Sequence, residues 1–131
     1  MPEIEGVNHI ALTVTDIDAS VAWYTKVLEA QVLMEQKEDT FDRVALLVPP
    51  LIIGMTKHKD ATAADDRFSE TRVGLDHVSF GVPSRVALDE WAARFDDMGI
   101  PHGPIRDVEY GSTLVIRDPD NIQLEFFSLP G

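Results

Sequence analysis

The chain has 131 residues, enough for one domain that buries roughly two-thirds of its unfolded surface. Hydrophobic residues make up 44% of it and charged residues 26%, proportions that are normal for a globular protein and argue against wholesale disorder. Its 11 Lys and Arg are outnumbered by 23 Asp and Glu, and the formal net charge of -12 would repel a phosphate backbone. We therefore expect no nucleic-acid partner.

The absence of cysteine excludes a disulfide framework, a thiolate nucleophile and a sulfur-ligated metal. Any metal ion must then be held by nitrogen and oxygen atoms. No segment approaches the roughly 20 apolar residues needed to span a bilayer, and Met1–Glu5 lacks the basic stretch and apolar run of a targeting signal. These features predict a cytoplasmic protein without a membrane partner.

The strongest pattern in the sequence is an internal repeat. The stretch Gly6–Val14 recurs without a gap as Gly74–Val82, and this alignment brings His9 onto His77. A repeat of about half the chain indicates two structural modules of the same kind.

The first copy predicts one strand, one helix and three more strands. Val7–Val14 is an apolar, β-branched run typical of a strand, and Asp16 or Asp18 can cap a helix that reaches Leu28. Because side chains alternate along a strand, His9 falls on the more polar of its two faces. The three strands that follow are predicted at Gln31–Lys37, Phe41–Val48 and Leu51–Thr56.

The second copy predicts the same order of elements. Leu75–Val82 is the first strand, Pro83 and Ser84 open a helix, and Gly99 follows its end. Three strands follow at Ile105–Glu109, Ser112–Arg117 and Ile122–Phe127. The sequence thus predicts a single α+β domain over residues 1–131, with βαβββ modules at 6–57 and 74–128 and a linker at 58–73.

Four positions become equivalent if the two modules pair about a pseudo-twofold axis. They are His9 and His77 in the first strands, and Gly54 and Glu125 in the last strands. Two imidazoles and one carboxylate form the ligand set of a facial-triad iron site, and they suit manganese, zinc, nickel or cobalt equally well. His9, His77 and Glu125 are therefore the predicted ligands of a divalent metal ion of open identity.

Three features together resemble the vicinal oxygen chelate superfamily, which includes glyoxalase I, bleomycin-resistance proteins, fosfomycin-resistance thiol transferases and extradiol dioxygenases. These features are the repeated modules, the strand openings at His9 and His77, and the Asp118-Pro119-Asp120 sequence seven residues before Glu125. The resemblance implies a glyoxalase/dioxygenase-like fold, in which the modules form an incomplete barrel around a central cavity. It also implies a homodimer and a metal that acts as a Lewis acid on a substrate bound through two neighbouring oxygens.

The resemblance also suggests individual roles. Gly54 falls where glyoxalase I places a glutamate that is both ligand and base, so the three-ligand set is closer to the thiol transferases and extradiol dioxygenases. Glu125 and Tyr110 are the catalytic candidates, Tyr110 because a loop tyrosine could donate a hydrogen bond or a proton. The candidate pocket residues share the inferred cavity face or its parity: Thr13, Gly54, His58, Ser79, Gln123 and Phe127.

Two functions remain open from the sequence. The first is a metal-dependent enzyme, of lyase, isomerase, thiol transferase or dioxygenase type, that acts on a small oxygenated molecule. The second is a small-molecule resistance protein that sequesters its ligand in the same cavity without turnover. Metal occupancy and the effect of losing it distinguish the two.

Overall fold

The computed structural model describes residues 1–131, which divide into two compact units at Met1–Asp66 and Arg67–Gly131. Each unit contains one helix and one four-stranded mixed sheet. The fold is therefore α+β with two βαβββ modules, as the repeat predicts.

The first unit runs β1 (Ile10–Thr13), α1 (Ile17–Leu28), β2 (Gln31–Lys37), β3 (Phe41–Val48) and β4 (Leu51–His58). Its strands lie in the order β1-β4-β3-β2, with β1 parallel to β4 and the other neighbours antiparallel. Parallel strands are normally joined by a right-handed crossover connection, and α1 lies in the connection that follows β1. The helix and the sheet enclose an apolar core of Leu12, Val14, Tyr24, Val27, Val44, Leu46, Ile53 and Met55.

The start of α1 is determined by Asp16, whose side chain accepts a hydrogen bond from the backbone N–H of Ala19 at 3.0 Å. Such a cap satisfies one of the free amides of the first helical turn. At the other end, Glu29 adopts a left-handed conformation with φ 54°, and its amide bonds back to Tyr24. The sequence offered Asp16 or Asp18 as the cap, and Asp16 has that role.

The second unit repeats this order as β5 (Val78–Gly81), α2 (Arg85–Asp97), β6 (Arg106–Val108), β7 (Gly111–Arg117) and β8 (Gln123–Ser128). The strand order β5-β8-β7-β6 matches that of the first unit, again with one parallel pair, β5 and β8. Ser84 caps α2 by accepting from the amide of Ala87 at 3.2 Å. Three aromatic rings, Trp91, Phe95 and Phe126, pack between helix and sheet with centroids 4.8–5.6 Å apart.

Strand lengths differ from the prediction mainly at the ends. The first strand of each unit is only four residues long, because Val7–His9 and Leu75–His77 lie outside the ladder. In the other direction, β4 extends to His58. The predicted alternation in β1 is confirmed, since Leu12 is 4% exposed while Ala11 and Thr13 are exposed. No helix of the chain has the length and apolar character that crossing a membrane requires.

Candidate functional site

The strand ladders place the two predicted last-strand positions at equivalent points of the two sheets. In the first unit Ala11 of β1 pairs with Gly54 of β4, and in the second unit Ser79 of β5 pairs with Glu125 of β8. Ala11 and Ser79 each come two residues after a repeated histidine. The equivalence of Gly54 and Glu125, inferred above from sequence alone, therefore holds at the level of backbone hydrogen bonding.

His77 and Glu125 lie side by side in the second unit. The Nε2 atom of His77 is 3.4 Å from Oε2 of Glu125, and the two side chains are 38% and 18% exposed. Metal bonds to imidazole nitrogen and carboxylate oxygen are about 2.0–2.2 Å long, so two atoms at this separation can bind the same ion. This pair therefore fits the donor set of a divalent metal.

The other ring nitrogen of His77 is already occupied. Its Nδ1 lies 2.6 Å from Oδ1 of Asp76, to which an Nδ1–H donates. A metal-binding histidine typically donates its second N–H to a carboxylate or carbonyl, which fixes the tautomer and orients the ring. Asp76 thus leaves Nε2 of His77 free for a ligand.

His9 has the same local arrangement in the first unit. Its Nδ1 is 2.7 Å from Oδ1 of Asn8, the residue that aligns with Asp76 in the repeat. In both units the preceding residue therefore positions the imidazole through Nδ1 and leaves Nε2 available. The two imidazoles differ in their supporting group, which is a neutral amide for His9 and a carboxylate for His77. The structure contains no group of three His, Asp or Glu side chains that could hold a metal ion.

The Asp118–Asn121 turn determines where Glu125 lies. The buried carboxylate of Asp118 accepts hydrogen bonds from the amides of Asp120 and Ile122 at 2.9 and 2.8 Å. Asn121 is left-handed, with φ 68°, and its amide bonds to the Asp118 carbonyl at 3.0 Å. The turn thereby leads directly into β8 in the register that pairs Glu125 with Ser79.

The segment before the second repeat holds this turn in place. Arg117 makes two hydrogen bonds of 2.9 Å to the carboxylate of Glu70, and the amide of Phe68 bonds to the carbonyl of Asp120 at 2.9 Å. The Arg117 guanidinium lowers the pKa of Glu70 to about 2. Both residues therefore remain charged across the physiological range.

Tyr110 lies at the turn before β7 and stacks on Phe127. Their ring centroids are 6.2 Å apart at an interplanar angle of 10°, and Tyr110 is 70% exposed. A side chain at Gly111 would meet the Phe127 ring and a backbone oxygen at 2.5 Å, so only glycine allows this close approach. Phe127 comes two residues after Glu125 on the same sheet face, which places the phenol beside that face.

The remaining predicted pocket residues lie in strands of both sheets. Thr13 and Ser79 are exposed and pair with Thr56 and Glu125 respectively. Gln123 donates from Nε2 to the backbone carbonyl of Asp76 at 3.3 Å. His58 ends β4 opposite Phe41, with ring centroids 6.4 Å apart.

A cavity of about 500 Å³ is present in the first unit, and none of the predicted site residues lines it. It lies near the start of α1, and its wall carries side chains of both charges. The acidic residues are Asp16, Asp18, Glu35 and Asp42, and the basic ones are Lys37, Arg43 and Lys57.

Sequence reasoning missed two groups of contributing residues. Asn8 and Asp76 stand in the repeated motif, and their position directly before each histidine was a readable signal for a supporting role. Arg43 carried no signal in the sequence, because its place on the same sheet face as Gly54 follows only from the β3–β4 ladder.

The model of the Glyoxalase/Bleomycin resistance protein/Dioxygenase superfamily matches residues 6–126. The chain belongs to this superfamily. Among curated proteins it is 26% identical over 124 residues to the metallothiol transferase FosB of Staphylococcus saprophyticus, covering 93% of this chain and 76% of that one. A second FosB, from Lysinibacillus sphaericus, is 26% identical over 129 residues, with coverage of 94% and 82%.

Solved structures of superfamily members share the fold. A glyoxylase/bleomycin resistance protein/dioxygenase domain from Frankia sp. EAN1pec superposes with a TM-score of 0.87 at 36% identity, covering 98% of this chain and 94% of that one. A variant of the fosfomycin resistance protein FosX from Listeria monocytogenes gives a TM-score of 0.70 at 21% identity, with coverage of 95% and 90%. That FosX crystal contains Mn(II) and 1S,2S-dihydroxypropylphosphonic acid.

Proposed function

We propose that this protein is a metal-dependent enzyme that acts on a small oxygenated molecule bound through two neighbouring oxygens. His9, His77 and Glu125 are its proposed metal ligands, and Glu125 and Tyr110 its catalytic candidates. The metal is iron, manganese, nickel, zinc or cobalt, all of which accept imidazole and carboxylate ligands.

The observation that carries the proposal is the duplicated support of the two histidines. In each unit the residue before the histidine holds Nδ1, at 2.7 Å for His9 and 2.6 Å for His77. A histidine that merely packs on a strand needs no such arrangement, and two independent histidines would not be expected to share it. The 3.4 Å contact between His77 and Glu125 adds a carboxylate to one of them.

The relatives support the same chemistry. FosB proteins are metallothiol transferases, and FosX has been crystallised with Mn(II) and a dihydroxylated phosphonic acid. Gly54, which supplies no ligand atom, leaves a coordination position for substrate or water. These points favour a transferase-like reaction over a glyoxalase I-like reaction that needs a fourth protein ligand.

The side chains around Glu125 define what the protein contributes. A bound divalent metal would supply Lewis-acid polarisation of the substrate oxygens. Asp76 holds His77 in one tautomer, and the Ser79 hydroxyl lies directly across the ladder from Glu125. The Tyr110 phenol is positioned by its stacking on Phe127 and can hydrogen-bond a substrate oxygen or donate its proton.

The proposal is tested by the metal content of protein purified anaerobically without an affinity tag. Wild type is compared by elemental analysis with His77→Ala and with the control His102→Gln. His102 bonds to Asp96 and Gly103 and is not a proposed ligand. We expect near-stoichiometric metal in wild type and in the control, and little or none in His77→Ala.

Metal that is retained in His77→Ala would contradict the proposed ligand set. Metal that is absent from wild type, and that added ions do not restore, would favour the sequestering protein instead. The identity of a bound metal also narrows the reaction type, because zinc has no redox chemistry and can act only as a Lewis acid, whereas iron also permits oxygen chemistry.

We also propose that the protein forms a homodimer. Strand β2 is an edge of the first sheet, and it exposes Val32, Leu33 and Met34 at 48–49%. Exposed apolar edge strands are normally covered by another chain or by protective charges. Analytical ultracentrifugation of the metal-loaded protein checks this, and a monomer at all concentrations would contradict it.

A further inference from the structure

We propose that the first unit contains an oxyanion-binding site centred on Arg43, and that the substrate therefore carries a carboxylate or phosphonate group. The inference rests on the proposed function only in assigning this anion to the substrate. The anion site itself is a property of the first unit and is testable without metal.

Arg43 is half-buried and has no acidic partner. Its Nε donates to the hydroxyl of Thr56 at 2.9 Å, and its guanidinium carbon lies 4.6 Å from the centre of the Phe41 ring. In a chain with 23 acidic and 11 basic residues, most arginines are expected to find a carboxylate. Arg85 and Arg117 both do so, at 2.8 and 2.9 Å.

The contacts of Arg43 leave one side of its guanidinium unused. An arginine has five N–H donors, and Thr56 takes only the one on Nε. The four N–H groups on the two Nη atoms have no acceptor within the chain. Because paired N–H groups in a fixed plane match the two oxygens of a carboxylate or phosphonate, this is the arrangement that binds such groups in bidentate fashion.

The guanidinium is also held rigidly. Thr56 is 3% exposed, and stacking on Phe41 restricts rotation about the end of the side chain. Binding an anion therefore requires less ordering of the arginine than a free surface side chain would need.

The strand register places Arg43 in a polar row across all four strands. Arg43 pairs with Thr56 of β4, Thr56 pairs with Thr13 of β1, and Gln36 of β2 pairs with Arg43 on its other side. Paired residues share a sheet face, so the hydroxyl of Thr13 and the amide of Gln36 lie on the same side as the guanidinium. Thr13 and Gln36 are themselves neutral, although the Gln36 amide also donates to the carboxylate of Glu38 at 3.1 Å. The cavity wall that includes Arg43 also carries Asp16, Asp18, Glu35 and Asp42, with which Arg43 forms no ion pair.

The same face carries Gly54, the counterpart of Glu125. Arg43 is one row from Gly54, since Ala45 pairs with Gly54 and lies two residues after Arg43. Successive same-face rows are separated by about 7 Å, which a molecule of a few heavy atoms can span. An anionic group at Arg43 would thus fix one end of a small substrate on the sheet face that carries Gly54.

The test measures anion binding to metal-free protein by NMR at constant ionic strength. Acetate and methylphosphonate are titrated separately, with acetamide as the uncharged control, and the Arg43 Nε–H resonance reports on the site. We expect saturable shifts with at least one anion and none with acetamide. The anion that binds with the higher affinity shows whether the site prefers a planar carboxylate or a tetrahedral phosphonate.

Three variants and one control assign the binding to Arg43. Arg43→Gln should weaken anion binding at least tenfold, because it removes a charged hydrogen-bond donor pair. Arg43→Lys should also weaken it, since an ammonium cannot make two parallel bonds. Thr56→Val keeps the shape of Thr56 but removes the anchor of Nε, and should weaken binding about threefold. The control Arg85→Gln removes the same charge from an arginine already paired with Asp89 and Asp107.

Two outcomes would overturn the inference. One is wild-type protein that shows no saturable anion binding, and the other is equal weakening in Arg43→Gln and Arg85→Gln. Anion binding without metal binding would overturn only the proposed metal enzyme, whereas metal binding without anion binding would overturn only the Arg43 site. Backbone amide spectra of each variant confirm that it is folded before its affinity is compared.

Discussion

The two units of this protein have the same elements, strand order and register, yet they carry different chemistry at equivalent points. Each begins with a histidine whose Nδ1 is held by the preceding residue. Two residues later the ladders diverge, because the first sheet presents Ala11 and Gly54 where the second presents Ser79 and Glu125. The first unit thus retains an imidazole without a carboxylate, and the second retains both.

The next row of paired residues on the same sheet face, two residues along from Gly54 and Glu125, differs in charge as well. In the first unit it contains Arg43 and Thr56, and in the second it contains Thr113 and the aromatic ring of Phe127. A duplicated scaffold can in this way supply a cation from one copy and an anionic ligand from the other. Under the two proposals the first unit contributes His9 and the Arg43 anion site, whereas the second contributes His77 and Glu125. The substitutions below test this difference between the units.

The largest effect is expected from moving the carboxylate between the units. Glu125→Ala removes one of three proposed ligands, so metal affinity should fall by more than about 100-fold, beyond what loss of a supporting residue costs. Adding Gly54→Glu to Glu125→Ala should restore most of that affinity. A Cβ at Gly54 would meet only Ala11, at an ordinary 3.5 Å, and the backbone there is not left-handed. Metal titration with competing chelators measures all three proteins.

The matched control for this exchange places the new carboxylate one strand away. Ala45 pairs with Gly54 and shares its sheet face, so Ala45→Glu combined with Glu125→Ala adds the same group to the neighbouring strand. This variant should not recover metal binding. Recovery in both double variants would mean that any added carboxylate suffices, and recovery in neither would break the equivalence of Gly54 and Glu125.

A smaller effect should distinguish the two supporting residues. Asp76→Ala and Asn8→Ala each free an Nδ1 atom, and the loss of such a partner typically costs about 10–100-fold in metal affinity. Asp76 should lie at the upper end, because a charged carboxylate accepts a stronger hydrogen bond from Nδ1–H than the neutral side-chain oxygen of Asn8 does. Asp76→Asn, which gives the second unit the supporting group of the first, should fall between wild type and Asp76→Ala. Equal losses at both positions would show that ring orientation alone matters.

The fold was largely predictable from the sequence because its signals are local. The Asp16 and Ser84 caps act within a few residues of the predicted helix starts, and the repeat carries the same order of elements into the second unit. The equivalence of Gly54 and Glu125 could also be inferred, because strand parity carries over from one copy of a repeat to the other.

The polar row around Arg43 and the cavity of the first unit could not be inferred in the same way. Both depend on which residues pair across neighbouring strands. The β2–β3 pairing is irregular between Val32 and Met34, and no sequence feature predicts that irregularity. The strand ends were also misjudged, because Val7 and Leu75 are apolar yet lie outside the ladders and are exposed. Hydrophobic character alone does not separate a strand from the extended segment that precedes it.

The smallest expected effect concerns a histidine that only the second unit has. His102 forms a β-bridge with Ile116. Leu46 is the first-unit equivalent of Ile116, and its strand partner there is the exposed Val32. The Nδ1 of His102 faces the Gly103 carbonyl at 2.7 Å and its Nε2 faces Asp96 at 2.8 Å. Both partners accept hydrogen bonds, so they favour the doubly protonated ring, and the pKa of His102 is raised above 6.5.

This raised pKa predicts that the stability contributed by His102 depends on pH. The stabilisation should be complete below about pH 6.5, where His102 is protonated even in the unfolded chain, and it should be lost as the pH rises through the folded pKa. We expect the free-energy difference in unfolding between wild type and His102→Gln to shrink by about 0.5 kcal/mol between pH 5.5 and 8.5. Urea unfolding at both pH values measures it, and hydrogen exchange should place the change in the second unit. A difference that is constant or grows with pH would show that the imidazolium contacts do not stabilise the fold.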